Sequence, residues 1–273
     1  MKKHLIVSAL CAFLAFMPLQ NAIAAGEGAP GISKLITSSQ KIGSSTVSVL
    51  FIGNSYTYYN DMPQMVADIA AGDMGNSVIY QIQSATRGGK SLTALLQDQD
   101  IVNLVSARLW NYVVLQEQSF WAMAPESVEV TANAARDWVG KIKAEGAKPL
   151  LYVTWARQPN SYWYTDRQFG FTKSPHYMQG QLDQSSAVLG QQLGMVTVPV
   201  GDAFATALQQ DEKWPLYAED SSHPSRLGSY LAALVFYKTI SGRSPESTTY
   251  APADMDASSA AALRKIAASM PVK

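Results

Sequence analysis

The chain has 273 residues, of which 47% are hydrophobic and 15% charged, and its 21 basic side chains are balanced by 21 acidic ones. This length is enough to build one sizeable hydrophobic core. The even charge, without a clustered basic run, argues against a nucleic-acid partner, because proteins of that class present a basic surface. We therefore expect no nucleic acid among its partners.

The first 24 residues have the pattern of a secretory signal peptide. A basic start at Lys2 and Lys3 precedes an apolar stretch of about a dozen residues, which is too short to span a membrane, and a small-residue end at residues 22–24. We predict that residues 1–24 are cleaved, that the protein is secreted or periplasmic in a bacterium, and that it has no stable membrane insertion. An uncleaved membrane anchor is the alternative.

Cleavage would change both the charge and the thiol content of the chain. Loss of Lys2 and Lys3 leaves 19 basic residues against 21 acidic ones, a formal charge of −2. The single cysteine, Cys11, lies in the predicted signal peptide. A mature chain without thiols excludes disulfides, thiol catalysis and thiolate metal sites.

Strand and helix patterns alternate along the rest of the chain. A Gly-, Ser- and Ala-rich stretch at residues 26–44 predicts a loose leader. Short β-rich or apolar runs then predict strands at residues 46–52, 78–82, 112–115, 149–154 and 195–200. Helices are predicted at residues 62–71, with Asp61 as N-cap, and at 92–105, 128–145, 177–193, 227–240 and 258–268.

Apolar strands that alternate with helices are typical of a parallel sheet covered on both faces. We predict a single domain over residues 25–273 of the α/β class: a three-layer α/β/α sandwich with a five-stranded parallel sheet, flavodoxin-like. In such folds, sites lie beyond the C-terminal ends of the strands. The segments after the first four strands, at residues 53–55, 84–89, 116–118 and 155–157, are rich in polar residues and share that edge.

Ser55, in the first of these segments, and Asp220 and His223, near the C-terminus, could form a nucleophile, its base and an orienting acid. Ser55 follows the first strand directly, and a serine nucleophile needs a base and a group that orients the base. The mature chain has only His176 and His223. Asp220 and His223 have a D-x-x-H spacing that can place the carboxylate against one ring nitrogen, although such residues before Pro224 also suit an ordinary turn. We interpret His176 as a surface or lid residue.

The order of GNSYT near the N-terminus and DSSHPS near the C-terminus resembles the SGNH (GDSL-like) hydrolases over about residues 46–240. The resemblance implies the SGNH hydrolase fold, with Ser55 as nucleophile, His223 as general base and Asp220 as its orienting acid. It also implies an oxyanion hole formed by the Ser55 N–H, a glycine N–H and a side-chain amide. No metal or other cofactor is expected.

The glycine and amide of that oxyanion hole are less clearly marked. Gly89 is the predicted donor, with Gly88 as the alternative. After the third strand the usual family pattern of a Gly-x-Asn-like segment is replaced by VVLQEQS. Gln116 is favoured as the amide, with Gln118 as the alternative. Asn54 stands where many relatives have Asp, and we expect it to shape the turn.

An aromatic loop at residues 155–178 directs the prediction of substrate. Trp155, Arg157 and Trp163 are predicted to bind it, because rings and hydrogen-bonding side chains suit the faces and hydroxyls of sugars. The same rings could hold an acyl chain or could simply pack the loop. We predict a secreted serine esterase of small acyl esters, most simply O-acetyl on a glycan. The alternatives are a lipase, lysophospholipase or thioesterase, an acyl transferase, and a non-catalytic glycan-binding protein.

Overall fold

The computed structural model describes residues 30–37 and 45–272, so the predicted signal peptide lies outside the described residues. A seven-stranded sheet forms the centre of the molecule. Its strands, in chain order, are β1 (Gly31–Ile32), β2 (Ile36–Thr37), β3 (Thr46–Gly53), β4 (Ile79–Thr86), β5 (Tyr112–Leu115), β6 (Lys148–Val153) and β7 (Val196–Pro199).

Five of these strands are parallel and lie in the order β4-β3-β5-β6-β7. The direction in which strands are added changes beside β3. The chain passes from β3 to β4 on one side, and from β5 through β6 to β7 on the other. The predicted α/β class with a five-stranded parallel sheet is therefore confirmed. Two short strands add to it, because β1 and β2 pair antiparallel with the outer edge of β4. The segment predicted as a loose leader thus contributes strands at residues 31–32 and 36–37.

Ten α-helices pack around the sheet in the described part of the chain. They are α1 (Ser55–Tyr58), α2 (Met62–Gly72), α3 (Leu92–Leu95), α4 (Gln99–Ser106), α5 (Pro125–Ala144), α6 (Tyr162–Thr165), α7 (Pro175–Leu193), α8 (Val200–Gln210), α9 (Arg226–Ser241) and α10 (Ala257–Ser269). Short 3₁₀ turns lie at Tyr59–Asp61, Trp121–Met123, Arg167–Thr172 and Pro245–Ser247.

Alternation along β3 divides the core into two halves. Val49 and Phe51 join one buried cluster with α2, α8, α9 and α10, whereas Leu50 and Ile52 join a second cluster with α3, α4, α5 and α7. Successive side chains of a strand point to opposite faces, so one apolar run fills both clusters. This gives the three layers predicted from the sequence.

Several element boundaries differ from the predictions. The helix predicted at 92–105 is two helices, α3 and α4, and β4 extends to Thr86, so that Ser84 lies within the strand. Asp61 precedes α2 with a left-handed φ of 52° and makes no side-chain cap bond. Helix α8 was not predicted, because the β-rich run at 195–200 leads into it without a turn.

None of the helices in the described residues is long and apolar enough to cross a membrane.

Candidate active site

Ser55 opens α1 at the C-terminal end of the central strand β3. The preceding Asn54 is the N-cap of this helix, and its side-chain oxygen accepts a hydrogen bond from the Tyr56 N–H at 3.2 Å. As the first residue of the helix, Ser55 has a backbone N–H without an intrahelical partner. The side chain is partly exposed although both of its neighbours are buried. The turn therefore presents one hydroxyl and one N–H at the sheet edge.

Gly53 is required by close packing beneath this turn. A Cβ at this position would lie 2.6 Å from both Gln116 Oε1 and Thr57 Oγ1. The Gln116 oxygen occupies that space because it accepts hydrogen bonds from the Asn54 N–H at 2.8 Å and the Thr57 hydroxyl at 3.0 Å. The glycine of the GNS motif thus lets the next strand brace the serine turn.

Ser55, His223 and Asp220 form a connected chain of side chains. His223 Nε2 lies 2.7 Å from Ser55 Oγ, and His223 Nδ1 is in contact with Asp220 Oδ2. The second oxygen of Asp220 accepts the backbone N–H groups of Ser222 and His223 at 3.0 and 2.9 Å. The D-x-x-H turn therefore brings together the three residues that the sequence selected. Their catalytic roles stay predictions.

The protonation of Asp220 follows from these contacts. Partial burial alone would raise the pKa of this carboxyl, but the hydrogen bonds from His223 and Ser222 outweigh burial and hold the pKa at about 2. Asp220 is therefore a carboxylate at neutral pH and can orient a neutral imidazole or stabilise a charged one. Tyr59 stacks on the His223 ring, with centroids 4.2 Å apart.

The segment that carries Asp220 and His223 is fixed from two directions. Ala218 N–H donates to His223 O at 2.8 Å, which closes the loop on itself. Two indoles hold it from the adjacent loop: Trp163 Nε1 donates to Asp220 O at 3.1 Å and Trp155 Nε1 to Ser222 O at 3.0 Å.

These bonds give both tryptophans a structural role. Trp155 is fully buried and Trp163 is 2% exposed, so neither presents an open ring face beside the triad, although Trp155 lies in the wall of a cavity between the helices that follow β6 and β7; the substrate contact predicted for both stays a prediction. Trp155 is stacked between Tyr56 and Phe204, at centroid distances of 4.7 and 4.2 Å. Both tryptophans support the triad loop from behind.

Arg157 is also buried, at 3% exposure, and its predicted contact with substrate stays a prediction. Its guanidinium donates to the Tyr56 hydroxyl and to Ser119 Oγ, the latter at 2.7 Å. The group lies 4.2 Å from the ring centre of Phe120 and 4.7 Å from that of Trp163. No carboxylate of the described residues is in ion-pair distance, so aromatic faces replace the usual counter-ion.

The predicted glycines lie on the opposite side of Ser55 from this loop. Gly88 and Gly89 are exposed in the turn after β4, and Gly89 has a φ of 67°, which favours glycine. Asn54 Nδ2 donates to the carbonyl of Lys90 at 3.0 Å, so the turn is tied to the residue before Ser55. Gln118 Nε2 donates to the carbonyl of Gly89.

Of the two glutamines, only Gln118 reaches this glycine turn. Gln116 is fully buried, and its Nε2 donates to the Glu117 carbonyl at 2.5 Å while its oxygen braces Asn54. Gln116 is therefore not placed to donate to a substrate in this structure, and its role as the oxyanion amide stays a prediction. Gln118 is partly exposed beside Gly89 and becomes the candidate amide.

Glu117, between the two glutamines, was missed by the sequence analysis. It is 3% exposed, and its carboxyl accepts the N–H groups of Gln118 at 2.6 Å and Leu92 at 3.1 Å. Burial raises the pKa of Glu117 to about 7, although these hydrogen bonds lower it. Glu117 holds the Gln118 backbone against the start of α3. The signal in the sequence that could have identified Glu117 is its charge, placed between two glutamines at the end of a strand.

Within the residues that the structure describes, no three His, Cys, Asp or Glu side chains are grouped to hold a metal ion.

Comparisons with known proteins were made for sequence and structure. No family model and no curated protein matches the sequence. Among solved structures, a protein from Slackia heliotrinireducens assigned to the SGNH hydrolases matches with a TM-score of 0.60 and 26% identity, covering 72% of this chain and all of that one. The chain is similar to this SGNH hydrolase and has the fold of the SGNH (GDSL-like) hydrolases.

Two further structures share this SGNH fold at lower identity. A DUF4886 family protein from Bacteroides uniformis has a TM-score of 0.68 at 17% identity and covers 82% of this chain and 94% of its own. An acetylxylan esterase from Geobacillus stearothermophilus has a TM-score of 0.53 at 16% identity, with coverage of 71% and 94%. The sheet edge that carries Ser55 thus belongs to a known hydrolase architecture.

Proposed function

We propose that this SGNH protein is a serine esterase that hydrolyses small acyl esters, and that its substrate is an O-acetyl group on a carbohydrate. The observation that carries the proposal is the contact of His223 with both Asp220 and Ser55 Oγ. A hydroxyl, an imidazole and a carboxylate in this order form the constellation that activates serine for acyl transfer.

The proposed reaction passes through an acyl-enzyme. Ser55 Oγ attacks the ester carbonyl while His223 Nε2 takes the hydroxyl proton, and the tetrahedral intermediate collapses as His223 gives that proton to the leaving alcohol. Water then attacks the acyl-serine with His223 again as base, and Ser55 regains its proton as the carboxylic acid leaves. Asp220 stays ionised and keeps the imidazole in position.

The oxyanion would be bound on the glycine side of Ser55. The Ser55 N–H and the Gly89 N–H are the proposed backbone donors, and Gln118 is the proposed amide. The tie from Asn54 to the Lys90 carbonyl supports this assignment, because it fixes the glycine turn relative to the serine turn. Preorganised donors of this kind stabilise the transition state by roughly 3 kcal/mol each.

The surface around the triad favours a small acyl group. Of the large apolar side chains that are exposed in the described residues, only Tyr162, at 42%, lies on a segment that carries the site. A lipase would need an apolar groove for its acyl chain, so this surface argues for the acetylesterase over the lipase. Among the structural neighbours, an acetylxylan esterase and a lipase/acylhydrolase from Enterococcus faecalis represent these two possibilities.

Tyr162 is also the ring that best suits a sugar. It packs on Trp163, with centroids 4.7 Å apart, and its phenol lies close enough to Asp220 for the charge of that carboxylate to contribute to its raised pKa. Tyr162 therefore takes over the role that the sequence gave to Trp155 and Trp163. Export of the protein, which would bring it to polysaccharides, stays a prediction from residues 1–24.

Hydrolysis of p-nitrophenyl acetate by the purified protein, beside Ser55→Ala, tests the proposal. We expect Ser55→Ala to lower kcat/KM by roughly 10⁴-fold or more, because the triad acts as a unit. Ser258→Ala, at an exposed serine of α10, is the matched control and should keep full activity. Equal hydrolysis by the wild type and Ser55→Ala would reject the serine mechanism.

Substrate class needs a second measurement. Rates on p-nitrophenyl acetate, butyrate and octanoate should fall with chain length, and acetate should be released from acetylated xylan. A preference for octanoate without acetate release would favour the lipase alternative. Acetyl transfer to a sugar faster than hydrolysis would identify a transferase.

A further inference from the structure

A cavity of about 340 Å³ lies between α7 and α8, at the same sheet edge as the triad. Sites for small molecules commonly have volumes of ~300–1,000 Å³. The triad residues do not line it, so it is separate from the site already described. We call it the α7–α8 pocket; its lining includes Pro159, His176, Asp183, Asp202, Leu208 and Tyr217.

The pocket adjoins the triad loop through Tyr217. This residue pairs with Pro224 in a β-bridge, and the neighbouring Ala218 N–H donates to His223 O at 2.8 Å. On the other side, Gln158 N–H donates to Ser221 O at 3.0 Å, next to Pro159 in the pocket wall. One wall of the pocket is therefore the back of the turn that positions Asp220 and His223.

Buried hydrogen bonds fix the shape of the pocket. The Tyr217 hydroxyl donates to Ala156 O at 3.0 Å. Gln179, which is 8% exposed, accepts the Ala156 N–H at 2.8 Å and donates to Asp183 Oδ1 at 2.7 Å. Gly201 lies so close that a Cβ there would collide with the Gln179 amide, so α8 begins directly against α7. These hydrogen bonds and the close approach of α8 to α7 hold the pocket walls in place.

The lining combines apolar surface with oxygen acceptors. Pro159, Leu208 and Tyr217 supply apolar surface, and the carboxylates of Asp183 and Asp202 supply acceptors. His176 and Gln209 complete the polar lining, and Arg157 is its only cation, held inward by Ser119 and Tyr56. A lining with two carboxylates, whose one guanidinium is held inward, disfavours an anionic ligand and suits hydroxyl donors on an apolar ring face.

We propose that the α7–α8 pocket is a carbohydrate subsite, which binds a neutral sugar unit of the esterified glycan. This inference rests on the proposed function, since the subsite would hold part of the alcohol moiety of that substrate. The pocket would supply sugar contacts that the buried ring of Trp163 cannot make, and Trp155 itself lies in the pocket wall. Hydrolysis of a small aryl ester should not depend on it.

Three variants test the subsite. Leu208→Trp fills the pocket, and Asp202→Asn keeps its shape while removing one carboxylate. Val188→Trp is the matched control, because this residue is 49% exposed on α7 and does not line the pocket. Each variant is compared with the wild type on p-nitrophenyl acetate and on partially acetylated xylo-oligosaccharides.

We expect both pocket variants to raise KM for the oligosaccharides about tenfold, with kcat/KM for p-nitrophenyl acetate unchanged, and Val188→Trp to change neither. Equal KM values for the oligosaccharides in the wild type and both pocket variants would overturn the subsite while leaving the esterase proposal intact. Asp202→Asn covers the case in which the larger Leu208→Trp change prevents folding.

Direct binding separates failure of the subsite from failure of the proposed function. Calorimetry with unacetylated xylo-oligosaccharides and Ser55→Ala protein needs no catalysis. Binding by Ser55→Ala that is lost when Asp202→Asn is added supports the pocket even if the wild type hydrolyses no ester. Absence of binding by Ser55→Ala, in a protein whose wild type releases acetate from the same oligosaccharides, counts against the pocket alone.

Discussion

The two sides of the triad are built differently. On the glycine side, Gly88 and Gly89 are exposed, and their turn is held by amide-to-carbonyl bonds from Asn54 to Lys90 and from Gln118 to Gly89 and by backbone bonds of Arg87 and Lys90. On the aromatic side, Arg157 and Trp163 are at most 3% exposed and are held by several contacts each. The first side can meet a ligand, and the second supports the loop that carries Asp220 and His223.

This difference shows what aromatic residues near a site can mean. A loop of more than twenty residues must bury apolar surface to be ordered, and rings bury the most surface per residue. Trp163 and Phe120 therefore pack around the Arg157 guanidinium, and only Tyr162 stays open. A functional reading of such rings needs their exposure as well as their position.

The largest expected effect comes from removing a ring on the aromatic side. Trp163→Ala should lower the free energy of unfolding by about 3–5 kcal/mol, because it removes a buried ring and the hydrogen bond to Asp220 O. Trp163→Phe keeps a ring and should lose only about 1 kcal/mol, mainly from that bond. Chemical denaturation measures both.

If Trp163→Ala instead kept its stability and raised KM for acetylated oligosaccharides, the ring would be a substrate platform. The aromatic side would then meet a ligand as the glycine side does, and the difference between the two sides would not hold.

The second effect concerns the support beneath the glycine side. Burial raises the pKa of Glu117 to about 7, from 4.5 in an unfolded chain. Between these two values the folded state binds more protons than the unfolded state, so the free energy of unfolding should fall as pH rises from 4.5 to 7. The contribution from Glu117 is at most roughly 3 kcal/mol.

Denaturation at a series of pH values measures this slope. Glu117→Gln should flatten it, whereas Glu126→Gln, at an exposed residue of α5, should leave it unchanged. A slope that is the same in the wild type and Glu117→Gln would show that Glu117 does not titrate in this range.

The smallest expected effect distinguishes the two glutamines. Gln118→Ala should lower kcat for p-nitrophenyl acetate roughly 10²-fold with KM nearly unchanged, because the donor beside Gly89 acts on the oxyanion side. Gln116→Ala should instead reduce stability by about 1–3 kcal/mol, since the buried Asn54 N–H loses its acceptor. The reverse outcome would restore Gln116 as the oxyanion amide.

The parallel sheet could be predicted from the sequence because its strands are continuous apolar runs such as Tyr112–Leu115. Two features lacked a local signal. Helix α8 begins at Val200, one residue after β7 ends, so the β-branched run hides the change. Strands β1 and β2 have two residues each, and their conformation depends on backbone pairing with β4.

The candidate site likewise has residues that the sequence predicts and residues whose placement it does not. Ser55, Asp220 and His223 were predicted together from the D-x-x-H spacing and the resemblance carried by GNSYT and DSSHPS, and the structure brings the three side chains into contact. Burial of Gln116 and Trp155 could not be predicted, because it depends on which way each side chain faces after the strand ends. Burial of Glu117 was equally hard to predict, since charged side chains are usually exposed.

The short strands β1 and β2 have a consequence for handling the protein. Together with Ser33, which bonds Ser84 through its backbone N–H and its hydroxyl at 2.9 Å each, they occupy the outer edge of β4. An open edge strand is a template for pairing with another chain. An expression variant trimmed to start at residue 45 would look harmless in sequence, yet it would uncover the edge of β4 between Gln81 and Thr86 and favour aggregation.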